Sequence, residues 1–225
     1  MPLHVPSWAA ELKARGWANI HDIIPNPPRL SGVDAFLGDT NAHTLVLGKD
    51  SAPARVFRRL VTDGHPDPYR HDPELATNLM LKQVLGSVGI DASLDGSTAT
   101  TCGVYYANAY WLLRDDDRFS GPLTNATEAF QQSRLVLEYM LSSLTRLERI
   151  VAMGADAYAA LMSFYDLRED WRTNLHQRRH IVANGRKLFA SSHLGYFGVR
   201  MRLRGATPDQ RRQAIIDDWK AAFDA

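Results

Sequence analysis

Three residues of different chemistry, far apart in the chain, each sit at or just past the end of a short apolar run: Asp50 after 44–47 and the breaker Gly48, Asn108 at the close of GVYYANA, and His193 after 187–191. A carboxylate can steady a positive charge or activate a water molecule. A carboxamide presents one donor and one acceptor edge, and an imidazole can hold or donate a proton near neutrality. These are the groups that hydrolysis of a nucleobase N-glycosidic bond would need. Taken alone, each also fits a plainer role: Asp50 as a turn or helix cap, Asn108 as a loop tie, His193 as a satisfied core histidine. What sets them apart is their common setting.

That setting depends on the elements. The runs at 43–47, 103–109, 149–153 and 187–191 are short, apolar and partly β-branched, and each is bounded by glycine or polar residues, so each reads as a buried strand. Helices are expected over 73–88, 125–146, 155–165 and from Pro208 to the C-terminus, the last capped by Thr207 with Pro208 in its first turn. An opening amphipathic helix is expected from Ser7 to Gly16. The segment after Pro53 is rich in arginine, and 65–75 reads as a proline-rich loop. Strands alternating with helices give the expected fold class: α/β, a single domain over 1–225, with a central mostly parallel sheet and helices on both faces. In such sheets the ligand crevice lies outside the carboxyl ends of the strands. Asp50, Asn108, Gly154 and His193 all fall there.

With those motifs in view, the chain resembles the uracil-DNA glycosylase superfamily over roughly 43–200. TLVLGKD is similar to the family's first motif, GVYYANAYWLL to the strand whose terminal asparagine reads the base, and FASSHLGYFG to the late histidine loop; RIVAMGADAYAAL resembles the strand-glycine-helix unit before that loop. The resemblance implies a three-layer α/β/α fold and a monofunctional DNA N-glycosylase of base excision repair. It implies catalytic roles for Asp50 and His193, and base contacts by Gly48, Lys49, Phe57, Tyr69 and Asn108, with Tyr105 a further aromatic floor. DNA contacts would come from Ser191, Ser192, Leu194, Gly195 and Tyr196, with Leu194, Tyr196 or Phe197 filling the vacated stack. Ser51 and Ala52 stand where the classical uracil enzymes carry Pro-Tyr, which leaves room beside C5 of the base and extends the expected substrates from uracil to 5-substituted pyrimidines. Leu194 and Gly195 replace the usual Pro-Ser. A protein that keeps the fold and binds a base without cleaving it is the rival reading. The string HPDPYRH at 65–71 copies Asp-Pro-Tyr more literally, but no apolar strand precedes it, so Asp67 and Tyr69 read as loop residues.

Composition narrows the field. Lys and Arg total 26 against 25 Asp and Glu, so nothing global favours a polyanion partner and any nucleic-acid face must be local. Arginine clusters at 55–59, 178–180 and 200–204 are the sites for one, although such clusters are usually just solvated surface. The single cysteine, Cys102, excludes an internal disulfide and thiolate-rich metal sites, including the four-cysteine cluster of iron-sulfur superfamily members. No cofactor, metal or membrane contact is expected. The resemblance implies DNA as the partner, and a monomer in a reducing, cytoplasmic compartment is expected.

Overall fold

The protein is described by a computed structural model over residues 3–24, 39–50, 52–65, 76–91, 103–116, 118 and 123–224. Its strands are β1 (Trp17–Ala18), β2 (Thr44–Gly48), β3 (Val104–Asn108), β4 (Leu113–Arg114), β5 (Arg149–Met153), β6 (His180–Ala183) and β7 (Arg186–Ser191). Its helices are α1 (Ala54–Thr62), α2 (Ala76–Ser87), α3 (Ala126–Ser143), α4 (Ala155–Phe164), α5 (Trp171–Gln177), α6 (Tyr196–Arg202) and α7 (Pro208–Asp224).

The four expected buried runs, joined by the unexpected β6, form one five-stranded sheet in the order β3-β2-β5-β7-β6, parallel except for β6, which returns antiparallel along β7. Side chains alternate across it. Leu45, Leu47, Tyr105, Ala107, Ile150, Ala152 and Leu188 point into a core shared with α3 and α4. Val46, Val104, Val151, Met153 and Phe189 point into a second core, with α2 and α7. A sheet buried on both faces needs apolar residues at successive positions, which explains why its strands are continuous apolar runs. The architecture is therefore the three-layer α/β fold expected from the sequence. No helix among the described residues is long and apolar enough to cross a membrane.

The opening segment corrects the expectation. It is a 3-10 helix over Ser7–Glu11 that starts after Pro6 without a side-chain cap, and Leu12 is already extended. The buried Asn19 donates through Nδ2 to the carbonyls of Ala9 at 2.7 Å and Leu12 at 3.0 Å, taking acceptors that a longer helix would use. The arginine-rich segment is a helix, α1, whose buried positions are Ala54 and Phe57. The chain-closing helix bears out its cap: the Gln210 amide donates to Thr207 Oγ1 at 3.3 Å, and the Thr207 amide donates back to Gln210 Oε1 at 2.9 Å.

Candidate active site

Register brings the first two motifs together. Gly48 pairs with Asn108 at the carboxyl ends of β2 and β3. The pairing runs on past both strands, with the Ala109 amide donating to the Gly48 carbonyl at 2.9 Å and the Tyr110 amide to the Lys49 carbonyl at 2.9 Å. Gly48 is fixed by space: a Cβ there would run into Asn108 Oδ1 and lie 2.8 Å from the Tyr106 hydroxyl. The glycine of the first motif is thus the room that the asparagine of the second occupies.

Asp50 lies two residues beyond Gly48, with only 12% of its side chain exposed. Lys49 Nζ stands 3.7 Å from Asp50 Oδ2 and 3.8 Å from Asp156 Oδ2. Lys49, expected against the base, therefore spans two carboxylates. The Arg114 Nε lies 3.4 Å from Asp50 Oδ2 and 3.8 Å from Asp116 Oδ1, with 3% of the arginine side chain exposed. Among the described residues these approaches are ion pairs without hydrogen-bond geometry at Asp50 Oδ2 or at any of the three guanidinium nitrogens. Burial pushes the Asp50 carboxyl above the usual carboxylate range. The Lys49 and Arg114 charges pull it back, and the Asp156 charge adds to the push.

The third motif arrives from β7. The Ser191 carbonyl accepts from the Gly154 amide at 2.8 Å and from the Trp171 indole at 3.2 Å, while Ser191 Oγ accepts from the Trp219 indole at 2.8 Å. Clamped from both faces of the sheet, this strand end presents His193 over Gly154, where a Cβ would lie 3.3 Å from the His193 Cβ. The Gly195 amide donates to His193 Nδ1 at 3.0 Å. In the neutral ring that leaves the proton on Nε2, which is then a donor. Although the residue is open to solvent on one side, protein crowding on the other lowers its pKa. The Lys49 charge lowers it further, and Asp156 opposes. Asp50 and His193 thus feel the same two charges, Lys49 and Asp156, so the second and fourth parallel strands deliver their groups to one electrostatic neighbourhood.

Several expected contacts are not where the sequence reading put them. Ser191 and Ser192 are buried, and the Ser191 hydroxyl is committed to Trp219 and the Ser192 carbonyl; they anchor the strand end instead of holding phosphates. Leu194 is fully buried in the α2/α7 core and cannot fill a DNA stack. Tyr105 is core on the α3/α4 face, and its buried hydroxyl is held above the usual phenol range by desolvation. Phe57 is buried with Ala18, Ile20, Ile24, Ala54 and Leu113. Tyr196 and Phe197 are the exposed aromatics, 66% and 67% accessible. Tyr69, Asp67 and Ser51 lie outside the described residues.

Three members of the site were not anticipated. Asp156 lies in the first turn of α4, three residues past the strand end, where the crevice rule could have flagged it. Tyr110, stacked on Trp17 at 5.2 Å, has its pKa pushed up to about 12 by burial and by the Asp156 and Asp50 charges. Arg114 closes an apolar run and carries no local signal.

Chemically, the arrangement offers a largely desolvated carboxylate between two cations, an amide against the glycine two residues before it, and an imidazole donor that feels two of the same charges. No known protein-family profile and no curated protein sequence matches the chain.

Proposed function

We propose that this protein is a DNA glycosylase that hydrolyses the N-glycosidic bond of a flipped base, with uracil or another modified base, including a 5-substituted one, as the target. The observation that carries the reading is a largely buried Asp50 carboxylate two residues past Gly48, which pairs with Asn108 at the neighbouring strand end, with Asp50 and His193 sharing the charges of Lys49 and Asp156. The motif resemblance to the uracil-DNA glycosylase superfamily supports it from the sequence side.

In this mechanism extrusion of the base from the stack costs a few kcal/mol, recovered by contacts in the pocket. Asn108 hydrogen-bonds the pyrimidine edge through its donor and acceptor. As the C1′–N bond breaks, its electron pair leaves with the base and positive charge develops on the sugar. Asp50 stabilises that charge and takes a proton from the water whose oxygen bonds to C1′. His193 donates from Nε2 to the base oxygen where negative charge gathers, and the released base regains a proton. The products are a free base and an abasic sugar.

The test is a panel of oligonucleotides carrying uracil, hypoxanthine, xanthine or 5-modified pyrimidines, incubated with the protein and then cleaved with alkali. Strand scission at one or more modified positions is expected. Intact strands throughout, with folded protein, would contradict the proposal.

A further inference from the structure

The whole chain is nearly neutral at +1, yet residues 196–213 carry five arginines against one aspartate. This segment begins three residues after His193 and contains α6. Its first turn is pressed against the histidine: a Cβ at Gly198 would run into the His193 carbonyl. Along the outer face, Tyr196, Arg200 and, past the helix end, Arg204 follow at intervals of four, with Phe197 and Met201 beside them, and all five are exposed. The opposite face holds the helix down. The buried Arg202 donates from Nε and Nη2 to the two oxygens of Asp218, at 2.7 and 2.8 Å, and Arg178 donates to the same carboxylate at 3.2 Å. Beyond the helix end lies an open hollow of about 540 Å³ lined by Arg178, Arg202, Arg204, Gln210, Gln213 and Asp217.

Two aromatic rings with two-thirds of their surface in water contribute little burial to the fold, and an exposed apolar patch rimmed by charged residues marks an interaction site. Arg200 and Arg204 form no hydrogen bond or ion pair among the described residues. Arg178, by contrast, is already engaged by Asp217 at 3.6 Å and by Asp218. Flat rings for stacking, next to exposed guanidinium groups for phosphates, are the combination that holds single-stranded nucleic acid without reading its sequence. At 1.5 Å per residue α6 spans about 10 Å, enough for roughly three bases stacked at 3.4 Å.

We propose that the outer face of α6, continued by the arginine-lined hollow, is a track for the DNA strand flanking the flipped nucleotide: Tyr196 and Phe197 stack on its bases, and Arg200 and Arg204 neutralise its phosphates. This rests on the glycosylase reading for its occupant, but the binding is measurable without any base being excised.

The experiment is fluorescence anisotropy of a labelled, unmodified single-stranded oligonucleotide of 15 thymidines, titrated with the full chain at several salt concentrations. Arg202 and Arg178 are left intact because they hold Asp218. Wild type is expected to bind with a salt-dependent Kd. Arg200→Gln and Arg204→Gln each reduce the slope of log Kd against log salt by about 0.7, the value for one single-strand phosphate contact, while Arg204→Lys retains the slope. Phe197→Ala weakens binding about 5-fold or more. Unchanged circular dichroism in each variant separates these effects from unfolding. The proposal is overturned if these variants bind as wild type does. It is also overturned if poly-glutamate binds equally well through the same arginines with no loss in Phe197→Ala, which would mark an acidic protein as the partner. Base release from oligonucleotides with no α6-dependent binding would sink this inference and leave the glycosylase reading standing; α6-dependent binding with no base released anywhere would do the reverse.

Discussion

At the scale of single residues the site is a balance of charges around one buried carboxylate. Burial works against ionised Asp50, Lys49 and Arg114 work for it, and Asp156 works against it. Because the proposed chemistry needs the carboxylate charged, base release should fall as pH drops through the Asp50 pKa. Removing a cation raises that pKa, so Arg114→Met should move the acid limb of the pH-rate profile to higher pH. Removing the anion in Asp156→Asn should move it lower. Single-turnover base release across the acid range checks both, and limbs that shift in the same direction would contradict the charge assignment. The strand-end placement of Asp50, Asn108 and His193 was legible because each closes or follows a recognisable apolar run. Arg114 was not. It belongs to the two-residue strand β4, and it reaches Asp50 through a tertiary approach of 3.4 Å that no local pattern encodes.

At the scale of elements, glycines decide where the candidate side chains can sit. Gly48→Ala places a methyl group against Asn108 Oδ1 and the Tyr106 hydroxyl, so it should cost about 1–3 kcal/mol of stability and weaken binding of the base-bearing oligonucleotide. Denaturant unfolding alongside a binding titration measures the two together. Gly198→Ala directs its Cβ at the His193 main-chain carbonyl. It should displace that loop and reduce base release as His193→Ala does, with the fold retained by circular dichroism; full activity would show that the loop's position is immaterial. The four parallel strands could be read from sequence because burial on both faces leaves unbroken apolar runs. The strand β6 could not, since its burial alternates between exposed and half-buried. Nor could the opening 3-10 helix, whose length depends on the distant Asn19 side chain.

At the scale of the molecule, the sheet brings candidate groups from four distant chain segments to the carboxyl ends of its parallel strands, and two cores pack its faces. Trp219 links core to site: fully buried, it packs on Phe223 at 6.2 Å and donates to Ser191 Oγ at 2.8 Å, two residues before His193. Trp219→Ala should lower stability by about 3–5 kcal/mol, seen as an earlier denaturant midpoint. Trp219→Phe should keep most of the packing but lose the hydrogen bond, at about 1–3 kcal/mol. The layered architecture was legible from the alternation of runs and helical stretches, whereas which strands neighbour one another was settled only by the folded pairing. The central claim is that Asp50 drives base loss from DNA, and its most direct measurement is single-turnover release of free base from a modified oligonucleotide by wild type and Asp50→Asn at equal folded concentration. A loss of about 10²–10⁴-fold in the variant, with DNA binding preserved, is the predicted result. Equal rates from the two proteins would contradict the account.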